Sequence, residues 1–100
     1  MPGMFDQAKA LLKARKAQQE LKKTEIEASG GEGKVLLVFT GDLKLKSITL
    51  DESLLAPERK AELERLLKDT FTQGMQETQQ VAADKTRGVM RDLGMNIPGM

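Results

Sequence analysis

The chain of 100 residues carries 16 Lys and Arg against 15 Asp and Glu, a formal net charge of +1, with 39% hydrophobic and 3% aromatic residues and neither Cys nor His. That length suits one domain, and the missing side chains exclude a thiolate nucleophile, an imidazole base, a disulfide and the Cys/His zinc sites of small domains. With only Phe5, Phe39 and Phe71 to supply ring area, part of the core is expected from a second copy of the chain, so a homodimer is the default.

From Met4 to Lys22 there is no Gly, Pro or β-branched residue, and Ala, Leu, Lys, Gln and Glu dominate, which predicts a helix. At about 100° per residue, Ala10, Ala14, Ala17 and Leu21 fall on one stripe, with Leu11 at its edge, and small residues there let another helix approach closely. On a different side Lys9, Lys13, Lys16 and Lys23 form a basic line in which Glu20 is the one acid. Asp6 and Lys9 break any signal-peptide core, and no stretch reaches the roughly 18 apolar residues of a membrane span, so a cytoplasmic protein with no membrane partner is expected.

Composition then switches. Thr24, Ile26 and Ala28 alternate with Glu25 and Glu27, the two-residue period of a strand with one wet face. Ser29-Gly30-Gly31-Glu32-Gly33 reads as a turn. Val35-Leu36-Leu37-Val38-Phe39 is apolar at successive positions, so both faces of this second strand call for burial and it should be central. Gly41-Asp42 closes a second hairpin into Leu43–Leu50, whose apolar phase shifts between Leu45 and Ile48 and so predicts a bulge or later strand start near Lys46. One helix covers only one face of a three-stranded antiparallel sheet. The second face is therefore assigned to a partner sheet, with Val35, Leu37 and Phe39 as the expected dimer interface.

Asp51 ends the sheet, and Pro57-Glu58 resembles the first turn of a second helix. Leu63, Leu66, Leu67, Thr70 and Phe71 keep a three-four spacing, continued more thinly by Gly74, Met75, Thr78, Val81, Ala82 and Val89. Unbroken from Pro57 to Arg91, such a helix would be about 50 Å long, more than so small a body covers. A break near Gly74 or a projecting distal half is expected, and in the second case the alanine seam of the first helix suits the projecting stripe, so that the two ends pair as an arm. Residues 94–100 lack periodicity and are expected to be a mobile tail on a single 1–93 domain.

This α+β order of helix, three-stranded meander, long helix and Gly/Pro/Met tail resembles the YbaB/EbfC family of bacterial nucleoid-associated DNA-binding proteins. Three places carry the likeness: Ser29–Gly33 followed by Lys34-Val35-Leu36-Leu37-Val38; the run Lys46-Ser47-Ile48-Thr49-Leu50-Asp51-Glu52-Ser53-Leu54-Leu55; and Gly94-Met95-Asn96-Ile97-Pro98-Gly99-Met100. The second is the most specific and departs from the family pattern at Glu52, where Pro is usual, and at Leu50, where Ile is usual. The resemblance implies a homodimer with a central body of sheets and protruding helical arms that grip duplex DNA in the nucleoid. It brings no fixed catalytic or base-reading motif.

Site residues therefore come from charge. Residues 1–23 hold six basic and two acidic side chains, +4, whereas the rest of the chain sums to −3. Duplex DNA carries a negative charge every ~1.7 Å of axis, so an ordered row of ammonium groups gains affinity by displacing condensed counterions. Lys9, Lys13 and Lys16 are the leading candidates, with Arg15, Lys22 and Lys23 flanking and Lys85, Arg87 and Arg91 supporting from the second helix. Such phosphate contacts position a protein without reading sequence. A row of lysines opposite an apolar stripe is also the pattern of a plain solvated helix face, and the alternative function is a dimeric module whose arms grip a protein through Leu12, Val81 and Ala82. Gly30, Gly31 and Gly33 precede a strand with no P-loop Lys-Ser/Thr pair, and Glu25/Glu27 and Glu62/Glu64 read as solubility residues. No enzyme activity, cofactor, metal or small-molecule substrate is expected.

Overall fold

The computed structural model describes residues 4–94, and most of the expected tail, at 95–100, lies outside them. Helix α1 (Met4–Lys23) leads into strands β1 (Glu25–Gly30), β2 (Val35–Thr40) and β3 (Lys44–Leu50), then two 3-10 turns at Glu52–Leu55 and Pro57–Arg59, then helix α2 (Lys60–Asp92). The sheet is antiparallel in the order β1-β2-β3, with β2 central as its uninterrupted apolar run requires. Val38 pairs with Ser47 and Phe39 with Leu45, so Lys46 is the extra residue of a bulge at the place where the apolar phase shifts. The first hairpin turns through Gly31, Glu32 and Gly33, all at positive φ.

The core lies between the sheet and the first half of α2. Val35, Leu37 and Phe39 are at most 1% exposed and cluster with Ala28 and Leu54, packed by Leu63, Leu66, Leu67 and Met75 from α2. Full burial of side chains of this size is worth about 1.5–3 kcal/mol each. This corrects the expected interface, because the three residues proposed to meet a partner sheet are covered by the chain's own α2. Strand periodicity sends them all to one face, and α2 occupies that face. The other face of β2 shows half-buried Leu36 and Val38.

Asp51 fixes the sheet-to-helix junction by accepting a hydrogen bond from the Ser53 backbone N–H at 2.8 Å, and Leu54 drives fully into the core. The Ser53 side chain and backbone both hold the Asp51 carboxyl below the usual aspartate range. Arg59 then reaches back to the Ser53 carbonyl at 3.2 Å and forward to Glu62 at 2.9 Å.

α2 continues for 33 residues, about 50 Å, without a break at Gly74. Gly74 is instead the point where the helix presses most closely on the sheet: a Cβ there would lie 2.2 Å from Phe39 Cε2 and 2.9 Å from Ala28 Cβ. Beyond it the helix leaves the sheet and runs beside α1, where Ala17 and Thr78 are buried. The resulting molecule measures 65 × 26 × 15 Å, with a radius of gyration of 18.7 Å against about 13 Å for a compact chain of this length. The distal half of α2 projects with α1 as an arm.

Candidate nucleic-acid interface

The arm forms because both helices offer small or short apolar side chains along a shared line. Ala10 and Leu21 are half-buried beside Ala17, and from α2 the line is Thr78, Val81, Ala82 and Val89. Thr78 satisfies its buried hydroxyl by donating to the Gly74 carbonyl at 2.7 Å. Ala14, expected in the seam, is exposed, and half-buried Lys13 takes the flanking place. A single α1–α2 ion pair, Lys85 to Glu20, ties the helices among the described residues. That hydrogen bond and charge, with a smaller contribution from Lys16, hold the Glu20 carboxyl below the ordinary glutamate range.

This arrangement sorts the nine basic candidates. Lys9, Lys13 and Lys16 follow one another along the flank of the seam, Lys9 and Lys16 exposed and Lys13 half-buried. Lys13 and Lys16 line a hollow of about 210 Å³ with Glu20, Lys85 and Asp92. Among the side chains described, which begin at Gln7, none of the three forms an ion pair within 4 Å, and Glu20 pairs with Lys85. Lys22 and Lys23 close the last turn of α1 at the arm's base. From Lys9 to Lys23 the basic line spans about 21 Å of helix, the length of some six base pairs of duplex.

Arg15 falls on another side of α1 by helical spacing, and Arg87 and Arg91 fall away from the α2 line that meets α1, so the fold does not bring these three to the lysine row. Arg87 is held by Asp84 at 3.1 Å. Lys85 is committed to Glu20 as a tie between helices.

Two basic residues escaped the sequence reading. Lys44 and Lys46 of β3 are exposed and line, with Lys22 and Lys23, a hollow where α1 ends against the β2–β3 turn. Their only sequence signal is the Lys-Leu-Lys alternation, which a solvated strand face also produces.

Among the described residues no helix is long and apolar enough to cross a membrane. Comparison with known proteins gives a consistent picture. A nucleoid-associated protein of Maricaulis maris (strain MCS10) is 34% identical over 101 aligned positions, covering 96% of this chain and 94% of that one. Another, from Rickettsia felis, is 33% identical over 86 residues, covering 86% and 78%. The crystal structure of an uncharacterised Helicobacter pylori protein, HP0035, shares the fold with a TM-score of 0.77 at 19% identity, covering 83% of this chain and 87% of that one. The family model described as the YbaB/EbfC DNA-binding family matches residues 1–93, and the chain belongs to that family.

Proposed function

We propose that the protein is a nucleoid-associated protein that binds double-stranded DNA as a homodimer through its helical arms, in the cytoplasmic nucleoid, and contributes to nucleoid organisation or gene regulation. The observation that carries this reading is the lysine row Lys9, Lys13 and Lys16, set along one flank of a projecting arm, with no ion pair to any acid among the side chains described from Gln7 onward. Ammonium groups so spaced displace the ion atmosphere of a duplex, and because they touch phosphates they confer little sequence preference. Preference among sites then comes from the shape and stiffness of the DNA.

The partner protomer belongs at the open edge of β3. Leu45, Ile48 and Phe71 are 38%, 53% and 41% exposed. They surround an apolar hollow of about 330 Å³ floored by Leu37 and Leu67. Two such edges meeting about a two-fold axis bury the same patch on both chains and remove two unpaired strand edges. Of Val35, Leu37 and Phe39, Leu37 lines that hollow, although it is only 1% exposed.

The test is the triple variant Lys9→Glu, Lys13→Glu, Lys16→Glu, assayed by DNA mobility shift alongside sedimentation and circular dichroism. Loss of the shift with helix content and mass unchanged supports the reading, and undiminished DNA affinity overturns it. Exposed Leu11 and Leu12, at 70% and 65%, keep the protein-gripping alternative in view. That reading expects affinity nearly independent of salt.

A further inference from the structure

The junction between α1 and the β2–β3 turn is fastened by backbone. Gly41 N–H donates to the carbonyls of Leu21, at 2.8 Å, and Thr24, at 2.9 Å, where α1 ends and the Leu21 carbonyl also accepts from the Thr24 N–H at 3.1 Å. The approach is so close that a Cβ on Gly41 would lie 2.8 Å from the Leu21 carbonyl oxygen. These bonds fasten the turn to the last turn of α1 and bring the backbones of the four lysines around one junction.

Those lysines, Lys22 and Lys23 from α1 and Lys44 and Lys46 from β3, rim a hollow of about 610 Å³ that also contains Glu25 and Asp42. Four positive charges face two negative ones. Asp42 is engaged internally, accepting from the Thr40 hydroxyl, which with the nearby Lys44 and Lys22 keeps its carboxyl below the usual aspartate range. Lys46 holds Glu25 at 2.5 Å across exposed surface, with side chains 56% and 46% accessible, and Lys44 stands 3.8 Å from Asp42 with 75% of its side chain accessible. Exposed pairs of this kind are weak and exchange readily for another anion.

We propose that this hollow is a second phosphate-binding site, in which Lys44 and Lys46 continue the basic line of the arm onto the body and hold the sugar-phosphate backbone of the same duplex. The proposal rests on the DNA-binding reading above. On entry of a phosphate, Lys46 exchanges Glu25 for the phosphate oxygens. Glu25 therefore acts as a competing anion that keeps the site weak without DNA.

Fluorescence anisotropy of the full chain with a labelled DNA duplex of mixed sequence, titrated across salt concentrations, tests it. The variant Lys44→Gln, Lys46→Gln removes two phosphate contacts per protomer, so the slope of log affinity against log salt becomes shallower by about 1.8 for each protomer engaged. Glu25→Gln removes the competitor and tightens binding by about two- to fivefold, an effect that loss of a merely structural ion pair does not produce. Wild-type slope and affinity in the double lysine variant overturn the second site while leaving the arm reading intact, provided the Lys9, Lys13, Lys16 variant has lost binding. Weaker binding in Glu25→Gln with an unchanged lysine response also overturns it. A wild-type chain that binds no duplex at all removes both.

Discussion

Replacing Gly74 with Ala adds one methyl group in the middle of a helix, where alanine is ordinarily favoured over glycine by about 1 kcal/mol. The structure reverses that sign. The new Cβ would stand 2.2 Å from Phe39 Cε2 and 2.9 Å from both Phe39 Cδ2 and Ala28 Cβ, whereas carbon atoms are at ease near 3.5–4.0 Å. Phe39 has no room to yield: it is fully buried, and its ring packs at a tilt on Phe71 with centroids 5.5 Å apart. Overpacking of this kind costs about 1–3 kcal/mol, which more than offsets the gain in helix propensity. A clash this severe belongs at the upper end of that range, so the net loss is about 2 kcal/mol, or roughly 8–16 °C in Tm for a chain of this size. Gly88, in the same helix, provides the control, since nothing lies within 4 Å of a Cβ built there. Gly88→Ala should raise Tm by several degrees, on the order of 0.5–1 kcal/mol. Thermal melts of both variants at one protomer concentration decide the matter. A Gly74→Ala protein as stable as the wild type would refute the argument that this glycine exists for close helix-to-sheet contact.

Leu43 adopts φ 66° in the β2–β3 turn with its side chain exposed, a left-handed conformation that disfavours leucine, so Leu43→Asn should stabilise the fold by up to about 1 kcal/mol in urea denaturation. Glu20 contributes stability while ionised beside Lys85; because its folded-state pKa is depressed, that contribution is present above the ordinary glutamate range and lost as pH falls through the lowered value. The Tm gap between wild type and Glu20→Gln should therefore shrink as melts are taken at progressively lower pH, and a gap independent of pH would contradict the tie. Ile48→Lys places a charge in the apolar patch at the edge of β3, and sedimentation at micromolar concentration should then give the mass of one protomer with helix content retained. A dimer of undiminished affinity would move the interface elsewhere.

Much of the architecture was legible because the strongest signals are local. The Gly-free run from Met4, the apolar block at Val35–Phe39 and the phase slip near Lys46 each arise from the period of one element and survive into the structure unchanged. The errors arose where an assignment depended on what lies across from an element. A block apolar on both faces does not say which face its own helix takes, so spacing alone sends Val35, Leu37 and Phe39 to a partner although α2 covers them. A glycine in a helical stripe signals both a break and a close contact, and only the position of Phe39 selects the second. In the candidate site, the row Lys9, Lys13 and Lys16 follows from helical spacing within one segment. Lys44 and Lys46 meet α1 only because the Gly41 turn docks on Leu21, a contact that spacing along the chain does not encode. Likewise Lys85 counts as a free cation in the sequence and becomes a helix tie once Glu20 is opposite it.

The central claim is that ordered lysines on the arm bind a polyanion by displacing its counterions, and the salt dependence of duplex binding by the wild-type chain measures it most directly. With six to ten phosphates neutralised by a dimer, affinity should fall by about three to five decades between 50 and 200 mM salt, along a straight line in logarithmic coordinates. An affinity that scarcely changes over that range would contradict the account.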